Sequence, residues 1–153
     1  MGVNRPHQLP LRLITGAFIL NSGLGKRRAD DATAEYVHGE AARAYPFLKG
    51  IDPQRFTKLL GSAEIALGTA LLVPAVPAAL AGAGLTGFAA GLLGLYFTDP
   101  EAREKDGIRP SQQGIALAKD SWLLAIGLSL LVDRSRPRVA GEPRSWRLTP
   151  GRG

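Results

Sequence analysis

Glu64 and Lys119 are opposite charges set inside runs of residues that otherwise carry almost none. In bilayer hydrocarbon a side-chain charge costs about 3 kcal/mol or more, so such groups turn inward and find partners. Lys26 and Asp120 stand near the ends of similar runs, and Asn21 and Tyr96 add further polar groups. These types suit one kind of site. A lysine ammonium or a tyrosine hydroxyl donates a hydrogen bond to a carbonyl oxygen, an asparagine donates and accepts, and a glutamate holds or passes a proton. Asn21, Lys26, Glu64, Tyr96, Lys119 and Asp120 are therefore the candidate ligand-binding residues, and none is singled out as catalytic. A plainer role stands beside that one. Glu64 paired with Lys119 or with Lys26 would hold helices in register and bind nothing.

Helices must position these groups. Residues 65–98 contain no Asp, Glu, Lys, Arg or His. A helix of a soluble bundle needs a charged face toward water, and this stretch has none. It is long enough for two membrane spans at roughly 20 residues each. Four spans are expected, at about 9–25, 59–76, 78–97 and 114–132. Asp52 and Pro53 form a helix start, with Asp52 as cap and Pro53 where a missing N–H costs nothing. Pro74 and Pro77 bracket a tight turn between the second and third spans. In the third span Gly87 and Gly91, extended backward by Ala83, have the four-residue spacing that lets helices approach closely in lipid. They read as a seam packing the bundle.

Alternating spans put the end of helix one, the start of helix two, the end of helix three and the start of helix four on one side. The six candidate residues all fall there. Glu64 and Lys119 each lie five residues into their spans, roughly 7 Å below the interface at 1.5 Å per residue. Lys119 and Asp120 are successive, about 100° apart around a helix, and cannot point at one spot. Arg12 belongs to the opposite side and is expected to snorkel to that interface.

The remaining composition narrows the chemistry. The chain has 153 residues, enough for one domain. There is no cysteine, which removes thiol redox chemistry, Fe–S clusters and cysteine zinc sites. The histidines are His7 and His38, far apart and outside the apolar runs, so neither a metal cluster nor haem is expected. The net charge of +6 sits at the ends of apolar runs and in the tail. That is where membrane proteins carry topology signals, and nucleic acid is not an expected partner. The apolar run from Leu9 is interrupted by Arg12 and is not followed cleanly by a small-x-small cleavage site, so it reads as a retained first span and not a signal peptide. Residues 31–44 read as a short helix, lying on the membrane or solvated in the loop. Residues 1–133 form the bundle, and residues 134–153 read as a basic, disordered tail.

The run Arg12, Gly16, Gly23 and Lys26, the pattern Gly61, Glu64 and Gly68, and the set Lys119, Trp122 and Gly127 resemble the DoxX family of small four-helix bacterial membrane proteins. The resemblance covers residues 9–133 and does not extend to the long first loop or to the arginine-rich tail. It implies a multi-pass protein of the cell membrane, associated in some members with oxidoreductase systems that reduce quinone. Quinone is then the cofactor to consider, and electrons would come from a redox protein partner or a soluble donor, because the chain offers no evident flavin or metal site.

Three functions follow as expectations: a quinone-linked oxidoreductase-associated subunit, a non-catalytic membrane scaffold, and a carrier for a small molecule or ion. The bilayer is the expected partner in each, and a carrier of four short helices would need a homo-oligomer. Six Arg follow Val132, while Lys26, Arg27 and Arg28 pull the other way, and the balance leans to both termini in the cytoplasm.

Overall fold

The fold is all helical in a computed structural model that describes residues 6–132. The expected tail, 134–153, lies outside the described residues. A short 3-10 turn, Pro6–Gln8, leads into α1 (Leu9–Arg27). Asp30 caps α2 (Asp31–Ala44) by accepting from the Thr33 N–H at 2.9 Å. After a second 3-10 turn at Pro46–Gly50, Asp52 caps α3 (Pro53–Leu72) in the same way, accepting from Arg55 N–H at 2.8 Å. The second helix thus begins at the cap read from the sequence and ends at Leu72, four residues short of the expected limit. The proline-bracketed turn follows, then α4 (Ala78–Thr98), a 3-10 turn at Pro100–Ala102 and a connection with an isolated bridge between Arg103 and Pro110. The last rod consists of α5 (Ile115–Ala118) and α6 (Asp120–Val132).

The helices pack chiefly as two antiparallel pairs, α1 with α3 and α4 with α6, joined where α3 meets α4. The apolar core is Ile19, Leu71, Ala81, Leu85 and Leu130, one or two residues from each of these four helices. It lies toward the end that carries the tight turn. At the other end α2 packs on α3 and α4. It is a loop helix leaning on the bundle, with Ala34, Ala41 and Ala42 buried against its neighbours.

Two segments, Ala78–Thr98 and Ile115–Val132, are long and apolar enough to cross a membrane. The first and third helices do not meet that measure, because α1 carries Arg12, Lys26 and Arg27 and α3 opens with polar residues. Their surfaces are nevertheless inverted relative to a soluble bundle. Arg12, Thr15, Thr57 and Glu64 are buried, whereas Ile14 and Phe18 are 74% and 68% exposed. Leu13, Leu59, Leu80 and Trp122 also face outward.

The glycine seam forms elsewhere than expected. A Cβ on Gly87 or Gly91 would meet nothing within 4 Å, and Ala83 is exposed. The close contact of α4 runs instead through Gly82 to Gly127 of α6, where a Cβ on Gly82 would lie 2.9 Å from the Gly127 carbonyl oxygen. Small residues lie on several sides of this helix, so four-residue spacing did not single out the buried side.

Candidate functional site

The α1–α3 contact follows a regular spacing. On α1 the inward residues are Arg12, Gly16, Ile19, Gly23 and Lys26; on α3 they are Thr57, Gly61, Glu64, Gly68 and Leu71. Both sets alternate steps of four and three, which keeps one face of each helix on its partner. Gly16 faces Gly68, and Gly23 faces Gly61. A Cβ on Gly23 would lie 2.6 Å from the Gly61 carbonyl oxygen, and one on Gly68 would lie 2.6 Å from the Leu20 nitrogen. The backbones therefore touch, and any side chain at these positions forces them apart.

Between those glycines the seam holds an ion pair. The Lys26 ammonium lies 2.9 Å from Oε1 and 3.0 Å from Oε2 of Glu64, and donates to the Ser22 hydroxyl at 2.8 Å. The Glu64 side chain is 4% exposed and that of Lys26 is 21% exposed. Ser22 lies one turn before Lys26 on α1, so it steers the ammonium over Glu64. The carboxylate is bridged through both oxygens, an arrangement that offsets the cost of taking two charges out of water.

Of the six candidate residues, only Lys26 and Glu64 meet. Lys119 is exposed at the α5–α6 junction. Asp120 is half-buried beside it. Asn21 is exposed on the outer side of α1. Tyr96 is buried, but its hydroxyl donates to the Ile108 carbonyl at 2.7 Å and so fastens the connection after α4. The depth expected in common for Glu64 and Lys119 does not make them neighbours, because depth says nothing about which helices are adjacent. The last helix packs on α4, and α3 packs on α1.

Arg12 behaves differently from the expected snorkelling. It is 2% exposed, and its guanidinium donates to the carbonyls of Leu71 at 2.7 Å, Ala70 at 2.9 Å, Val73 at 2.9 Å and Val76 at 3.1 Å. Leu71 and Ala70 stand among the last carbonyls of α3, and Val73 and Val76 lie in the turn beyond it, the Val73 oxygen also accepting from the Val76 N–H. A cation at a helix C-terminus also meets the negative end of the helix dipole. The signal was available: Arg12 stands four residues before Gly16, in phase with the inward face.

Tyr45 was not singled out either. Its hydroxyl reaches across from the end of α2 to the Gly91 carbonyl at 2.8 Å, and it lies over Gly94, where any Cβ would strike it. A shallow surface cleft opens beside this contact, between Glu40, Arg43 and Ala44 of α2 and Leu95, Thr98 and Asp99 at the end of α4. Arg43 is already paired with Glu40 there.

A quinone head group relayed by Glu64 would take its hydrogen bond from Lys119 or Tyr96, but the Tyr96 hydroxyl serves Ile108 and Lys119 belongs to the other helix pair. A carbonyl reaching the pair would meet Lys26 and Ser22. The residues behind the family resemblance on α1 and α3 all lie on the α1–α3 seam, and Gly127 lies on the α4–α6 seam. Comparison with known proteins finds no matching family model, no matching curated protein and no matching solved structure.

Proposed function

We propose that this chain is a four-span integral membrane protein of DoxX type that serves as a non-catalytic scaffold subunit. The surface along the middle of α1 and α3 supports the membrane reading: Leu13, Ile14, Phe18 and Leu59 face out, while Arg12 and Glu64 are buried between the two helices. The observation that carries the scaffold reading is the closed Lys26–Glu64 pair, held between glycine contacts that leave no space at the seam. A carboxylate bridged through both oxygens has little capacity left for a ligand. Replacing both partners with apolar residues of similar size, Lys26→Met with Glu64→Leu, is expected to preserve folding, membrane insertion and the association of any partner. A folded double variant that loses its phenotype would sink the scaffold reading.

A second reading keeps the quinone-linked subunit. Its support is the resemblance together with the partial exposure of Lys26, which leaves one side of the ammonium within reach of a small polar ligand. Mass spectrometry of small molecules co-purifying with wild type and with Lys26→Met/Glu64→Gln separates the two. A quinone held by wild type and lost from the variant favours the redox subunit. No ligand in either protein, with both folded, favours the scaffold. Lys119→Met serves as the control.

A further inference from the structure

We propose that Arg27, Arg55 and Lys58, grouped about Ser62 on the outer face of the α1–α3 pair, form a binding site for the phosphate of an anionic phospholipid. The inference rests on the membrane reading above. The Arg27 guanidinium donates to the Ser62 hydroxyl at 3.0 Å, and Ser62 donates to the Lys58 carbonyl at 2.7 Å. That contact brings the end of α1 onto the outer face of α3. Arg55, Lys58 and Ser62 are spaced three and four apart and lie on one side of α3, all exposed.

The three cations have no acidic partner among the described residues. Nearby acids are engaged elsewhere: Asp52 accepts from Arg55 N–H as a helix cap, Asp31 accepts from Gln54, and Glu64 lies inside the seam with Lys26. Two exposed arginines elsewhere differ, Arg43 being paired with Glu40 and Arg109 with Asp106. The Ser62 bond uses one of the five guanidinium N–H groups of Arg27 and leaves the others for phosphate oxygens.

The surface also has the shape of an amphiphile. Leu24, one turn before Arg27 on α1, is 43% exposed, and Leu59, one turn after Arg55 and next to Lys58 on α3, is 56% exposed. Cationic groups interleaved with exposed leucines fit a lipid whose phosphate meets the cations and whose acyl chains lie against the leucines. A soluble phosphate would use the cations alone.

The test uses the full chain, purified in detergent and stripped of lipid, then titrated with dioleoyl phosphatidylglycerol, dioleoyl phosphatidylcholine or free glycerol 3-phosphate. Bound lipid is counted by native mass spectrometry and the melting temperature is followed. Phosphatidylglycerol is expected to be retained and to raise the melting temperature more than phosphatidylcholine, with no response to glycerol 3-phosphate. Each cation removed should weaken apparent affinity about fivefold, so Arg27→Gln/Lys58→Gln should lose roughly 25-fold. Lys105→Gln, in the connection between α4 and α5, should lose nothing. If the double variant does not fold, Arg55→Gln carries the test with about a fivefold loss. Equal retention of the two lipids, an unchanged variant, or an equal response to glycerol 3-phosphate overturns the proposal. Carbonate extraction keeps the two readings apart. A chain that stays in the membrane pellet yet shows no preference for phosphatidylglycerol rejects this site alone. A chain released by carbonate rejects the membrane reading and the site with it.

Discussion

In α1 against α3, and again in α4 against α6, glycines bring two antiparallel backbones into contact, but the first pair threads charges through that contact and the second is built on Gly82, Leu85, Gly127 and Leu130. The second pair supplies both segments that are apolar enough to cross a membrane by composition, and the first supplies neither. The difference teaches that composition counts charges without asking where they point. Arg12, Lys26 and Glu64 lower the average of α1 and α3, yet all three are turned into the seam and answered there by carbonyls or by each other. Leu13, Ile14, Phe18 and Leu59 face outward, with Arg27, Arg55 and Lys58 exposed toward one end of the pair.

The sharpest way to break this comparison is to remove one charge. Glu64→Leu leaves the Lys26 ammonium unanswered inside the seam and should cost about 3–5 kcal/mol of stability in detergent. The double variant Lys26→Met/Glu64→Leu should recover most of that loss or exceed wild type. Unfolding by denaturing detergent, with helicity as the readout, measures both. If the single variant is harmless, the pair is a surface feature and the two seams are alike.

Arg12→Met comes next, at about 3 kcal/mol, because several carbonyls at the end of α3 lose their donor together. Hydrogen exchange should rise at residues 73–77 before it rises elsewhere. Unchanged exchange in the turn would mean that Arg12 does not hold it. Arg12→Lys should recover only part, since one ammonium cannot span the carbonyls that a planar guanidinium reaches.

The glycines test what the pairs share. Gly23→Ala in the first seam and Gly127→Ala in the second each force a Cβ against backbone or against the Thr86 hydroxyl, and each should cost about 1–3 kcal/mol. Similar costs would make backbone contact the common device and charge an addition to the first pair. Gly87→Ala meets open space and should be neutral or stabilising by about 0.5–1 kcal/mol, from helix propensity alone. A loss there would show that this outer face of α4 packs on something further.

These outcomes bear on how far the sequence could be read. The helix ends were legible because their signals are local: Asp52 with Pro53, the prolines around the turn and the apolar run of residues 65–98 each act within a few positions. Lateral adjacency was not, because nothing local states that α3 lies against α1 and apart from the last helix. Glu64 was therefore open to either lysine, and Tyr96 was drawn toward a cluster when its hydroxyl serves Ile108. Arg12 was misread by treating each charge on its own. The four-and-three spacing through Gly16, Ile19, Gly23 and Lys26 shows that it points inward.

The two pairs also differ in how their helices are connected, and pH probes the smaller connection. α1 and α3 are bridged by α2, whereas α4 and the last rod are bridged by a tight turn closed by Asp106. Its carboxylate accepts from the Ile108 and Arg109 amides and pairs with the Arg109 side chain. The Arg109 hydrogen bond, followed by those amides, holds the Asp106 carboxyl down at about 2, below the ordinary aspartate value near 3.9. A carboxyl whose pKa is lower in the folded chain adds stability above its unfolded value and loses that contribution as pH falls through the folded value. The turn should therefore be intact at pH 4 and loosen as pH approaches 2. The carboxyl carbon of Asp106, followed by NMR, should titrate near 2, with the Ile108 and Arg109 amides losing protection together. Because Ile108 is the residue that Tyr96 holds, loosening should reach the Tyr96 ring signals and stop short of Lys26 and Glu64, which lie in the other pair. A titration near 4, or a change at Tyr96 that spreads to the α1–α3 seam at the same pH, would mean that the two pairs do not act as separate units.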